Sequence, residues 1–342
     1  MKRNRIQNFI FVIYVLNFTF NLTACNEDSN NPVDVDINFV IDSFAVGPYA
    51  IVTTGSPGGV FVISTQSETI AAIFDKDFSS YRVIITHDGA FAYVTNSGPG
   101  VSIFSIASKT VIDSVIIGGS PSALAITPND SFVYVLNSGF GNVSVISTAS
   151  NTIVATIDVG LSPHDIAIFP DGETAFVTNF NSTYFSVIST SSNSVIDSIS
   201  ISGQPKDIYI TPDGLYAYIT NFGDYVSVFS IESDSFIAKI DMDSEPAGIE
   251  ISQDGAFAYV ANYGGDYVSV ISTTTNTVID TITVGIAPFD IGLTQDNAFA
   301  YTANGLSNTV SVIDLGSNSV VSTINVGDFP NSIAITPITV SK

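Results

Sequence analysis

The chain has 342 residues, of which 45% are hydrophobic and 12% charged, and its formal net charge is −23. Trp is absent and only 2 Met occur, while Val, Ile, Ser and Thr dominate, a composition that suits packed strands and excludes a mainly helical fold. So acidic a surface repels nucleic-acid backbones and anionic lipid faces, and no nucleic-acid partner is expected.

The first residues are a different object from the rest. Lys2, Arg3 and Arg5 give a basic start, and an apolar stretch runs from Phe9 to Leu22, interrupted by Asn17, Thr19 and Asn21. It ends in Leu22-Thr23-Ala24-Cys25, which holds the only cysteine of the chain. Basic, apolar and small residues in that order predict a secretory signal rather than a membrane span. The tetrapeptide resembles a bacterial lipobox. That resemblance implies a lipoprotein signal peptide over residues 1–24, diacylation of Cys25, and anchoring in a membrane through two acyl chains. The alternative is an unmodified cysteine in an ordinary signal peptide or a short membrane anchor. The expected location is extracytoplasmic and lipid-anchored, at the outer membrane on its periplasmic side or at the cell surface. Residues 25–37 are polar and acidic and are expected to be a flexible tether. Glu27 and Asp28 resemble the acidic residues that mark some Gram-negative lipoproteins for surface export. The domain proper is residues 38–342.

Within that domain one Asn recurs after an alternating apolar run, at Asn96, Asn137, Asn179, Asn221, Asn262 and Asn304. One further step back lands on Thr54, in Tyr49-Ala50-Ile51-Val52-Thr53-Thr54, so seven copies follow. Each copy holds four short strand-like runs separated by turn residues, such as Pro170-Asp171-Gly172. Four antiparallel strands make one twisted sheet, and a ring of such sheets buries both faces of each while leaving only short edges. The fold class is therefore all-β, a seven-bladed β-propeller of four-stranded antiparallel blades. The N-terminal copy lacks a first strand, and Ser332 to Thr336 is a first strand with nothing after it. The C-terminal strand is expected to join the N-terminal blade and close the ring.

Tyr93-Val94-Thr95-Asn96 and its variants, Tyr134-Val135-Leu136-Asn137 through Tyr301-Thr302-Ala303-Asn304, resemble the tetrapeptide of the YVTN-repeat propellers, in their bacterial and archaeal cell-surface form. The resemblance covers about residues 40 to 340. It implies a seven-bladed propeller outside the cytoplasm and no single activity. The repeated Asn reads as a turn cap that tolerates left-handed backbone, and Asp88, Asp171, Asp213, Asp254 and Asp296 read as turn formers.

In a repeat protein the positions that differ between copies are the better site candidates. Pro121, Pro163, Pro205, Pro246, Pro288 and Pro330 stiffen the crossings into the first strands, and the two residues after each are expected at the mouth of a central channel. Aligned, this ring contains Tyr81, Arg82, His164, Asp165, Lys206, Asp207, Phe289, Asp290 and Asn331. Convergent polar groups in a concave mouth are candidates for ligand binding, and mutual neutralisation of Asp165, Asp207 and Asp290 by Arg82, Lys206 and His164 is the other reading.

No Cys-x-x-Cys-His, no Gly-x-Ser-x-Gly and only two histidines occur, so no catalytic residue, metal or cofactor is expected. The sequence therefore favours a lipid-anchored, non-catalytic binding or scaffold protein for a protein, glycan or small ligand. Two alternatives stand beside it: a structural coat component, and an enzyme, lactonase-like or dehydrogenase-like, with its site at the channel mouth.

Overall fold

The computed structural model describes residues 48–337 apart from 56–57, 75–78 and 99. In the separate unit Met1–Ala45 it describes only the backbone of a short antiparallel pair, Thr23–Cys25 with Pro32–Asp34. The rest of the leader, the Cys25 side chain and the rest of the tether lie outside the described residues.

The unit Val46–Lys342 is a seven-bladed propeller of four-stranded antiparallel sheets. Blade 4 shows the pattern in Pro163–Ile168, Thr174–Asn179, Tyr184–Ser189 and Ser194–Ser200, taken from the axis outward. The innermost strands of blades 2 to 7 are Ser80–Ile85, Pro121–Ile126, Pro163–Ile168, Gln204–Ile210, Pro246–Ile251 and Pro288–Leu293. Blade 1 is composite, as expected. Pro330–Ile335 pairs antiparallel with Tyr49–Thr54, with Ile333 opposite Val52, and lies between the innermost strands of blades 7 and 2. Reciprocal bonds from Tyr49 N–H to Thr336 Oγ1 (2.6 Å) and from Thr336 N–H to the Tyr49 carbonyl (2.8 Å) seal the end of that pairing.

Strand alternation explains why the ring coheres. Among the described residues seven apolar cores form, one between each pair of neighbouring blades. The core between blades 7 and 1 packs Tyr301, Val310, Val312 and Ile324 against Ala50, Val52, Ile63 and Ile333. A single blade has both faces apolar and must bury them against neighbours.

The motif Asn is not in a left-handed conformation in any of its six copies. Each is at the end of a second strand and donates from Nδ2 to a Ser hydroxyl on the third strand, as Asn179 does to Ser186 at 3.0 Å and Asn137 to Ser144 at 2.9 Å. Its role is a cross-strand clamp on buried polar groups. The turn Asp residues behave as expected: the Asp171 carboxylate accepts the Glu173 N–H at 2.9 Å, and that of Asp213 accepts the Leu215 N–H at 3.0 Å.

Candidate functional site

The innermost strands carry an irregularity near their start, between Pro163 and Asp165 in blade 4 and between Pro205 and Ile208 in blade 5. This bulge lets the residue two after the proline turn toward the axis. In blades 2, 4 and 5 the third residue of the motif holds it there. Thr178 Oγ1 accepts the Asp165 N–H at 2.9 Å and donates to the Lys206 carbonyl of the next blade at 2.6 Å. Thr220 does the same for Asp207 N–H (3.0 Å) and the Ala247 carbonyl (2.9 Å), and Thr95 for Arg82 N–H (3.0 Å) and the Ser122 carbonyl (3.1 Å).

Around the axis this register reads Arg82, Ala123, Asp165, Asp207, Gly248, Asp290 and Ser332. Arg82 crosses the channel, with Nη2 at 2.9 Å from Asp207 Oδ1 and Nη1 at 3.1 Å from Asp290 Oδ2. Gly248 makes room for the acid beside it, since a Cβ there would lie 2.6 Å from Asp290 Oδ1. Each acid is also fastened to the following blade. Asp165 Oδ2 accepts the Ile208 N–H at 3.0 Å, Asp207 Oδ2 that of Ile249 at 3.1 Å, and Asp290 Oδ2 that of Ile333 at 3.1 Å. One layer beyond, Glu250 Oε2 accepts the Leu293 N–H at 3.0 Å.

Three carboxyls around one guanidinium cannot all be ionised cheaply in a buried channel. Burial, reinforced by Asp207, raises the Asp165 carboxyl well above its ordinary value. Burial also raises Asp290, against the pull of Arg82. Burial pushes Glu250 up to about 8. Burial opposes the charge on Arg82, but Asp207, Asp290 and Asp165 together hold its proton more firmly than usual. Among the described residues no group of three or more His, Cys, Asp or Glu is arranged to hold a metal ion. Arg82 is the cation among these acids.

A cavity of about 640 Å³ runs from this layer along the channel. The arginine–acid layer forms its inner end, and Ile84, Ala125, Ala167, Tyr209 and Glu250 are part of its wall. It opens between the turns that carry His87, Pro128, Pro170, Gln253 and Gln295, at the far end of the innermost strands from the prolines that begin them.

The structure thus splits the expected ring. Arg82, Asp165, Asp207 and Asp290 line the cavity. Tyr81, His164, Lys206, Phe289 and Asn331 lie one position earlier, outside the cavity lining. Lys206 Nζ pairs with Glu245 and sits 5.3 Å from the Phe222 ring centre, so it does not neutralise the aspartates. His164 lies tilted against Phe180 with ring centres 5.9 Å apart, its Nδ1 buried without a partner, and burial together with Arg82 lowers its pKa to about 4. It is neutral at physiological pH. Phe289 packs edge-on against Tyr263 and Phe329. Asn331 is structural: its Oδ1 accepts from Thr53 at 2.7 Å and its Nδ2 donates to the Ser80 carbonyl at 2.8 Å. Sequence reasoning missed Glu250 and Tyr209. The available signal was a large polar side chain at a register that is Ile84, Ala125, Ala167, Gly292 and Ala334 in the other blades.

Residues 233–323 match a family model described as lactonase, 7-bladed beta-propeller. No curated protein matches the chain. Solved structures share the fold. Kuenenia stuttgartiensis hydrazine synthase matches with a TM-score of 0.69 and 22% identity over 75% of this chain and 89% of that one. A functionally unknown protein from Desulfotomaculum acetoxidans matches with a TM-score of 0.75 and 19% identity over 84% and 99%. A putative 6-phosphogluconolactonase from Bacteroides fragilis matches with a TM-score of 0.73 and 17% identity over 86% and 99%. The expectation of a non-catalytic binding or scaffold protein is corrected by these findings, which favour the lactonase-like alternative. Composition and missing motifs had set that expectation, and an Arg and carboxyls brought together from separate blades leave no local signature in the sequence.

Proposed function

We propose that this propeller hydrolyses lactones in its central channel. The observation that carries the reading is the cavity floor: one guanidinium held across the channel among carboxyls, with burial raising Asp165 well above its ordinary value and Glu250 up to about 8. The family-model match and the name of the Bacteroides structure support it.

Lactone hydrolysis needs a base for water, a donor for the developing oxyanion and an acid for the departing alkoxide. Arg82 has five N–H donors, and two carboxylates leave some of them for a carbonyl oxygen. Ionised Glu250 takes a proton from the water that attacks the acyl carbon. The ring C–O bond breaks, and the alkoxide takes the proton carried by Asp165. The product is a hydroxycarboxylate with one proton released. Tyr209 lines the same wall, close enough to Glu250 for the two to interact.

The YVTN-type repeats, the lipobox-like Leu22-Thr23-Ala24-Cys25 and the acidic segment after it support a further part of this reading: an exported enzyme held at a membrane by lipidated Cys25. The outer ring of Tyr81, His164, Lys206, Phe289 and Asn331 then borders the channel on the face away from the cavity opening.

The test is proton release in a pH-stat, with the purified chain and a panel of glucono-1,5-lactone, δ-valerolactone and dihydrocoumarin. Hydrolysis of at least one, lost in Arg82→Met, is the expected result. Rates no faster than buffer across the panel would reject a lactonase.

A further inference from the structure

We infer that the channel selects uncharged lactones and rejects phosphorylated or otherwise anionic ones, because Arg82, the guanidinium at its floor, is already held by Asp207 and Asp290. This rests on the lactonase reading and names the substrate class of the same site.

The charged groups that line the cavity decide the matter. They are Arg82 on one side of the balance and Asp165, Asp207, Glu250 and Asp290 on the other, with His87 at the rim. His87 Nδ1 is 2.6 Å from Asp130 Oδ1, so any positive charge on it is met by a carboxylate. Lys206 is turned away and engaged by Glu245. A phosphate monoester brought into this cavity meets no free cation among the described residues. To reach Arg82 it must displace Asp207 or Asp290, leaving a buried carboxylate unpaired beside a second anion. Sites that recognise phosphate do the opposite, and offer a guanidinium or several N–H groups with unused capacity.

A neutral lactone faces no such cost. Its carbonyl oxygen accepts from the guanidinium N–H groups that the two carboxylates leave free, and its ring lies against the walls of Ile84, Ala125 and Ala167. Protonated carboxyls are also donors, and suit hydroxyl and ester oxygens. The same field acts on the product. Hydrolysis turns a neutral ring into a carboxylate, and an acidic channel expels it. The uncharged substrate class and weak inhibition by product therefore have one cause.

The experiment compares two matched pairs on the full chain: glucono-1,5-lactone with its 6-phosphate, and dihydrocoumarin with its 6-carboxylate. The expected result is a kcat/KM at least tenfold higher for the neutral member of each pair that is hydrolysed. Asp290→Asn is the second arm. It keeps an oxygen for the Ile333 N–H while releasing part of Arg82, so the ratio of anionic to neutral rates should rise about tenfold. Equal or faster hydrolysis of the anionic members by the wild type overturns the substrate inference and leaves the lactonase reading standing. A wild-type preference for neutral substrate that Asp290→Asn leaves unchanged overturns its assignment to Arg82. Failure to hydrolyse any of the four, or any uncharged lactone, overturns both.

Discussion

Arg82 of blade 2 donates from Nη2 to Oδ1 of Asp207 in blade 5 at 2.9 Å, so one side chain ties together blades that share no apolar core. The pair lies at the inner end of the cavity, where it has a structural task and, on the lactonase reading, a chemical one. Removing one partner of a buried pair costs more than the pair contributes, because the other charge stays behind.

Arg82→Met should therefore lower unfolding free energy by about 3–5 kcal/mol at pH 8. The loss should be smaller at pH 5. Without the cation, buried Asp165 and Asp290 bind protons still more tightly in the folded state than in the unfolded chain, so stability falls as pH rises. Urea unfolding at the two pH values checks this. A loss of equal size at both would show that the acids do not depend on Arg82.

Glu250 gives a second pH dependence in the wild type. Burial holds its folded pKa at about 8, whereas an unfolded Glu releases its proton near pH 4.3. The folded state thus carries the extra proton between those values, and the Glu250 contribution to stability declines from about pH 5 to pH 8. Glu250→Gln should melt no lower than wild type at pH 8.5 and show a flatter profile across that window. The same group, acting as base, should set the rising limb of kcat/KM near pH 8, and Glu250→Gln should lose that limb together with most of the rate.

The motif Thr yields a test of how the site is aimed. Thr178→Val keeps the shape but leaves the Asp165 N–H and the Lys206 carbonyl without the hydroxyl that joins them. A cost of about 1–3 kcal/mol is expected in urea unfolding. The rate should fall as well, since Asp165 loses its fixed position. The hydroxyl is absent at Leu136 and Ala261, beside Ala123 and Gly248, and also at Ala303 beside Asp290, where Thr302 Oγ1 donates to the Asp290 carbonyl at 2.9 Å, so of the three acids Asp165 and Asp207 depend on it. Unchanged kinetics in Thr178→Val would assign Thr178 to stability alone.

These residues also show how much could be read in advance. The blade count and the composite closure were legible, because each repeat carries its own strand period and turn chemistry and the two end fragments complement each other. The register of Arg82, Asp165, Asp207 and Asp290 was legible too, because the first strands align it, with a proline before each of the three acids and Ser80 before Arg82. Which groups pair was not, since Arg82 meets Asp207 across a channel whose width no local pattern encodes. Lys206, one residue from Asp207, turns the other way, because neighbours on a strand project to opposite sides. The single-blade Glu250 was hidden for the opposite reason: nothing repeats it, and only comparison down its register makes it conspicuous.

Ring closure supplies the last prediction. Pro330–Ile335 is the innermost strand of blade 1 and comes from the C-terminal part of the chain. Truncation after Asp328 removes Ile333 from the core between blades 7 and 1, exposes the edge of Tyr49–Thr54, and breaks the bond of Ile333 N–H to Asp290. It also takes Asn331, which links Thr53 to the Ser80 carbonyl and so joins blade 1 to blade 2. Burying one Ile contributes about 1.5–3 kcal/mol, and a severed ring loses cooperativity between its ends in addition. The melting temperature should fall by more than about 10 °C, as 1 kcal/mol moves a larger domain by about 2–4 °C. A synthetic peptide of residues 329–342 added in trans should recover part of the loss by mass action. A truncated chain that melts with the wild type, with or without peptide, would show that the blades hold together without closure.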